Sequence, residues 1–143
     1  MLKLIRKRRE KGEKGQALVE FALLVPIFLI LLFAIVDFGM GFYSWITVTN
    51  SAREGARIGA VLASADEIAI RVRDTAGLPN EDTNLFVKVE NAYPDGQPGE
   101  SVVVKVDYRF DLITPLAGLM AFLSGDIIGP QLTLSSTAEM RLE

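Results

Sequence analysis

Gly15-Gln-Ala-Leu-Val-Glu20-Phe21 stands at the head of an apolar run, ALLVPIFLILLFAIV, that ends at Asp37. From Phe21 to Val36 sixteen consecutive residues carry no charge. With Ala17–Glu20 they make a twenty-residue helical stretch, about 30 Å long at about 1.5 Å per residue, enough to cross the hydrocarbon core of a bilayer. Phe38, Phe42, Tyr43 and Trp45 follow at once, and aromatics just beyond an apolar span read as an interfacial belt. Before the run, residues 1–15 hold seven Lys or Arg and two Glu. That basic leader keeps the N-terminus cytoplasmic and predicts the C-terminal part outside. A cleaved secretory signal has a shorter apolar region and small residues at its cut site. This run is longer and closes on Asp37 and bulky aromatics, so a retained membrane helix fits better. A simple unprocessed signal anchor stays open as the alternative.

Composition removes most chemistry. The 143 residues include no Cys and no His, which excludes disulfides, thiolate catalysis, Cys/His zinc sites and His-based triads. The leader carries +5 while the whole chain carries −3, so the remainder carries −8. A body so charged has no basic surplus for phosphate, and no nucleic-acid partner is expected. The acidic pairs Asp66/Glu67 and Glu81/Asp82 read as a helix cap and a solvated loop rather than a cation site. Gly55-Ala-Arg-Ile-Gly59 lies in a helical pattern and lacks the Lys-Ser/Thr ending of a phosphate loop. No catalytic residue, metal, cofactor or small-molecule substrate is expected, and the chain is not read as an enzyme.

The helix runs on past the membrane. No proline or turn dipeptide interrupts Ile46–Ser64, so helix is predicted from Ala17 to about Leu62, with Pro26 inside it as a tolerated kink. Small residues recur every four positions at Ser51, Gly55, Gly59 and Ala63. Such a stripe admits close backbone approach. It is either a packing face for a neighbouring subunit's helix or the seat of this chain's own sheet. Arg53 and Arg57 flank Glu54 and read as a solvated, locally paired face.

Beyond Ala63 the pattern changes. Ser64-Ala-Asp-Glu67 is a capping box, and a helix over Ala65–Ala76 follows, closed by Gly77 and Pro79 with Ile68, Val72 and Ala76 on one face. Alternation predicts strands over Leu85–Asn91, Val102–Phe110 and Leu132–Leu142. In the last of these Leu132, Leu134, Ala138 and Met140 should point inward. The Tyr93–Gly99 segment is turn-rich. The uncharged Leu112–Leu123 is too short to span a bilayer. It is either a buried short helix or an exposed contact patch. The sum is an α+β fold: a long N-terminal helix with a small antiparallel meander packed on its C-terminal half. Three segments result: a basic leader over 1–15, a long helix over 16–63 that spans the membrane over about 17–37, and an exported domain over 64–143.

Glu20 is the unusual residue. A carboxylate at the edge of a membrane helix is costly unless it is paired or snorkels to water. The basic leader, Gly15, the five-residue spacing to Glu20, Phe21 and the apolar helix together resemble the class III signal of type IV prepilins and pseudopilins. With Asn50-Ser-Ala-Arg-Glu-Gly-Ala-Arg57 behind them, they are similar to the TadE-like family, components of the tight-adherence (Flp) pilus machinery. The resemblance runs from about Gly15 to Ala60. It implies a pilin-like fold and cutting between Gly15 and Gln16 by a membrane prepilin peptidase. It further implies a bacterial inner-membrane location, single-pass with the N-terminus inside, and other pilins or pseudopilins as partners. Gln16 then becomes the new N-terminus and Glu20 the fifth mature residue, whose carboxylate can pair with a neighbour's amine and set subunit register. Cyclisation of an N-terminal Gln would remove that amine.

Overall fold

The computed structural model describes the backbone of residues 2–124 and 131–143, with the side chains of those residues from 15 onward except 120, 123 and 124. The side chains of the basic leader therefore lie outside the described residues. The chain forms two compact units, Met1–Val36 and Asp37–Glu143, and helix α1 (Leu2–Gly59) runs through both.

In the first unit, α1 already begins at Leu2. The leader is therefore helical. Its Lys, Arg and Glu are strong helix formers, and it holds no proline before Pro26. Leu18, Phe21, Leu24, Ile27 and Phe28 are all exposed. A helix apolar on every side has no soluble partner to bury against and matches a lipid environment. Gly15–Gly59 includes an 18-residue window of mean hydropathy 2.9, none of it buried.

The second unit adds α2 (Ala65–Ala76), a single turn α3 (Glu81–Asn84), β1 (Leu85–Glu90), β2 (Ser101–Asp111), α4 (Leu116–Ser124) and β3 (Gln131–Arg141). The strands form an antiparallel meander in the order β1-β2-β3. Leu85 pairs with Tyr108 and Val87 with Val106, and Val104 pairs with Ala138. Direct partners share a face, so the aliphatic residues of β1 and β3 and Val102, Val104 and Val106 of β2 line one side of the sheet. Val48, Ala52 and Ala56 of α1 and Ile68, Val72 and Ala76 of α2 cover that side, burying Val102, Val104 and Val106 completely. Each buried valine contributes about 1.5–3 kcal/mol relative to exposure, so this helix-on-sheet layer dominates the stability.

Close approach needs small residues. A Cβ on Gly55 would lie 2.6 Å from Val72 Cγ2, and one on Gly59 would lie 3.0 Å from both Ile68 Cδ1 and Val102 Cγ2. Ser51 is fully buried and returns its hydroxyl to Thr47 O at 2.9 Å. At Ser51, Gly55 and Gly59 the small-residue stripe thus seats the chain's own α2 and sheet.

α2 begins and ends as its sequence predicts. Ser64 and Glu67 form the capping box, and Gly77 closes the helix in the left-handed region at φ 53°. α1 stops at Gly59, short of the expected Leu62 and of a segment boundary at 63. Val61 N donates to Ile58 O and Leu62 N to Gly59 O. This tightened turn delivers Leu62 at φ 65°, which cannot continue a right-handed helix. β3 also departs from expectation. Leu134 and Ala138 pack on the core, but Leu132 and Met140 stay 47% and 37% exposed. β3 is the edge strand far from α2, which packs beside β1 at the other edge. Leu142, one step past the strand, is buried instead.

An ion pair ties the helices together. Glu54 accepts from Arg57 and, across the layer, from Arg71, each at 2.8 Å. Hydrogen bonds from these two guanidinium groups hold the Glu54 carboxyl at about 2. A folded value below the unfolded one of about 4.3 stabilises fully above that pH and is lost as pH falls through the folded value. Unfolding titrations should therefore show stability declining from about pH 4.5 to about 2, with Glu54→Gln flattening that decline. Gly55→Val should lower stability by about 1–3 kcal/mol through overpacking against Val72. Gly39→Ala, where an added Cβ meets nothing within 4 Å, should leave it unchanged or slightly raised. Chemical unfolding of the detergent-solubilised chain separates the two.

Candidate assembly segment

Gly15 sits in α1, where an added Cβ would meet nothing within 4 Å. Gln16 is the next residue and is exposed. Its side-chain amide donates to Glu20 Oε1 at 3.0 Å, one helical turn on. Glu20 and Phe21 are likewise exposed, as are Pro26 and Val36. Pro26 is accommodated within α1. Gln16, Glu20 and Phe21 thus come together on one short stretch of free helix surface. Ser51, Gly55 and Gly59 do not join them, being committed to the core of the second unit.

Asp37 carries the feature that the sequence reading missed. It is 2% exposed. Its Oδ1 accepts from the backbone N–H of Ile113 at 2.9 Å and of Thr114 at 3.1 Å, and its Oδ2 accepts from the Thr114 hydroxyl. Thr114 Oγ1 in turn receives the Leu116 N–H that opens α4. One carboxylate of α1 therefore holds the start of α4, 76 residues further along the chain. Charge-assisted bonds of this kind are stronger than neutral ones, and they give the buried Asp37 carboxylate its donors. Two signals were present. An acid ending an apolar run must find donors. Thr114-Pro115 just ahead of an apolar segment is a helix-start signature.

Among the described residues no group of three or more Asp or Glu could hold a metal ion. The exposed Gln16–Glu20 pair and the buried Asp37 both fall inside one stretch of α1. Residues 15–57 match the family model described as TadE-like protein. No curated protein and no solved structure matches the chain. The TadE-like segment starts at Gly15 and takes in Glu20, Asp37 and Gly55. The match supports a protein associated with Tad pilus systems, in contact with other pilus proteins and with the membrane. TadE-like proteins are pilus components rather than a known enzyme family. The long apolar helix of this segment supports membrane anchoring.

Asp37→Ala should destabilise the chain by about 1–3 kcal/mol by removing the acceptor of two part-buried amides and a hydroxyl. Hydrogen exchange should quicken at Ile113, Thr114 and Leu116 while the β1–β2 amides keep their protection. Asp37→Asn, which retains an acceptor oxygen, should lose less.

Proposed function

We propose that the chain is a minor pilin or pseudopilin that acts in assembly of a tight-adherence pilus and is matured by a prepilin peptidase. The observation that carries the reading is Gly15-Gln-Ala-Leu-Val-Glu20-Phe21 at the point where the TadE-like match begins. All seven basic residues of the leader lie before that match, as expected of a segment that is removed. The peptidase cuts between Gly15 and Gln16. The mature subunit stays in the bacterial inner membrane by a single span over about residues 17–37, N-terminus inside, with its α+β domain outside.

Glu20 then acts in register. In the uncut chain its carboxylate is held by the neutral amide of Gln16. Cutting turns Gln16 into a terminal ammonium, a charged donor that a neighbouring subunit's Glu20 accepts in preference. The pair neutralises two charges that would each be costly in a low-dielectric setting. Phe21 on the same exposed surface packs beside that contact. The chain is in this reading a substrate of an enzyme rather than an enzyme itself.

Intact-mass measurement of membrane-extracted protein, from cells with and without the peptidase, tests the cut. Loss of residues 1–15 only when the peptidase is present is the expected result. A full-length chain in both would return the protein to an unprocessed, signal-anchored interaction module. Glu20→Ala should be cut normally yet fail to support pili, and normal pili would remove the register role.

A further inference from the structure

An open apolar groove of about 560 Å³ lies in the second unit, lined by Phe38, Phe42 and Trp45 of α1, Phe110 of β2, Leu116 of α4 and Leu134 of β3. Asp37 also borders it, but its carboxylate already has three donors. The groove therefore offers no free polar group that would orient a polar ligand. Around it the surface is greasy. Phe38 is 66% exposed, Phe42 61%, Ile113 61% and Phe122 84%. No charged residue occurs from Phe38 to Ala52 or from Leu112 to Leu123. On β2 the nearest charges, Arg109 and Asp111, alternate to the sheet face opposite Phe110.

Sequence position says what covers this surface. Asp37 directly follows Val36, the last residue of the uncharged run. A span over about residues 17–37 puts Asp37 at the outer hydrocarbon boundary. The headgroup layer beyond it is about 5–8 Å deep, or roughly three to five helical residues. Phe38 falls within it, Phe42 at its outer edge and Trp45 just beyond it, and aromatic side chains favour that layer. Asp37 fastens the start of α4 at the same depth. We infer that the groove and α4 form a membrane-contact face, on which Ile113 and Phe122 enter the outer leaflet and lipid enters the groove from its Phe38 end. The occupant is the bilayer that holds the chain's own helix, and the inference rests on the anchoring stated in the proposed function.

Trp45 is the sole tryptophan, which makes the test direct. The full chain carrying Trp45→Phe is given either Phe122→Trp or Val61→Trp. Val61, just past α1, is 66% exposed, so neither probe enters the core. Both proteins are reconstituted in vesicles of phosphatidylethanolamine and phosphatidylglycerol, with or without bromine on the acyl chains. The Phe122→Trp probe should emit to the blue of the Val61→Trp probe and be quenched by bromine at least about twofold more, as for a side chain at acyl depth. Equal quenching at the two positions overturns the contact face. Blue emission without bromine quenching also overturns it, and gives the groove to a protein partner such as a second copy. Flotation of the vesicles reads anchoring separately. Protein that fails to float removes the anchoring itself, whereas protein that floats with an unquenched probe at position 122 removes only the contact face.

Discussion

The absence of side chains at Gly55 and Gly59 sets how near α1 can come to the sheet. At Gly55 even a single methyl group would overlap Val72. With hydrogen there instead, α1 can settle between α2 and the β2 valines until Val102, Val104 and Val106 are wholly shielded from water. Packing at that separation gains dispersion from many atoms at once. It leaves the exposed ion pair of Glu54 with Arg57 and Arg71 a minor role. The capping box, the meander register and the pairing of β3 arrange residues around a separation that these two positions define.

Asp37 answers a different problem. Where an apolar helix ends, a charge is normally left to water. Here it is withdrawn into the protein and shared among two amides and a hydroxyl. The arrangement satisfies donors at the opening of α4 and at the same time leaves the neighbouring surface free of charge. A single residue therefore serves both polar satisfaction and the greasy character of its surroundings, which is the chemistry a membrane boundary demands.

Much of this was legible in advance because it rests on local rules. The meander followed from alternation in β1 and β2, α2 from Ser64, Glu67 and Gly77, and the apolar helix from its run of uncharged residues. The matched family segment was legible too, through spacing around Gly15 and Glu20. What escaped depended on distant partners. Nothing near Asp37 in the chain announces Thr114. The exposure of Leu132 and Met140 depends on which strand lies at the edge, and alternation is blind to strand order. The stripe of small residues was read correctly as a close-packing surface, but a stripe alone does not say whether its partner belongs to the same chain. The helical leader shows the converse: lysines, arginines and glutamates favour helix strongly enough to carry two glycines with them.

The layout also dictates how the outer unit can come into being. Gly55 meets Val104, a partner almost fifty positions later, and β3 pairs with β2 only after α4 has been made. Little of this core is available to short-range nucleation, and a topology of such high contact order folds slowly. While the chain is being made, the α1 stripe is complete long before anything can close over it. Until β2 arrives, that half-finished interface is an uncovered, sticky strip on the helix. The period of greatest risk for misassociation thus falls between synthesis of the rod and synthesis of its central strand.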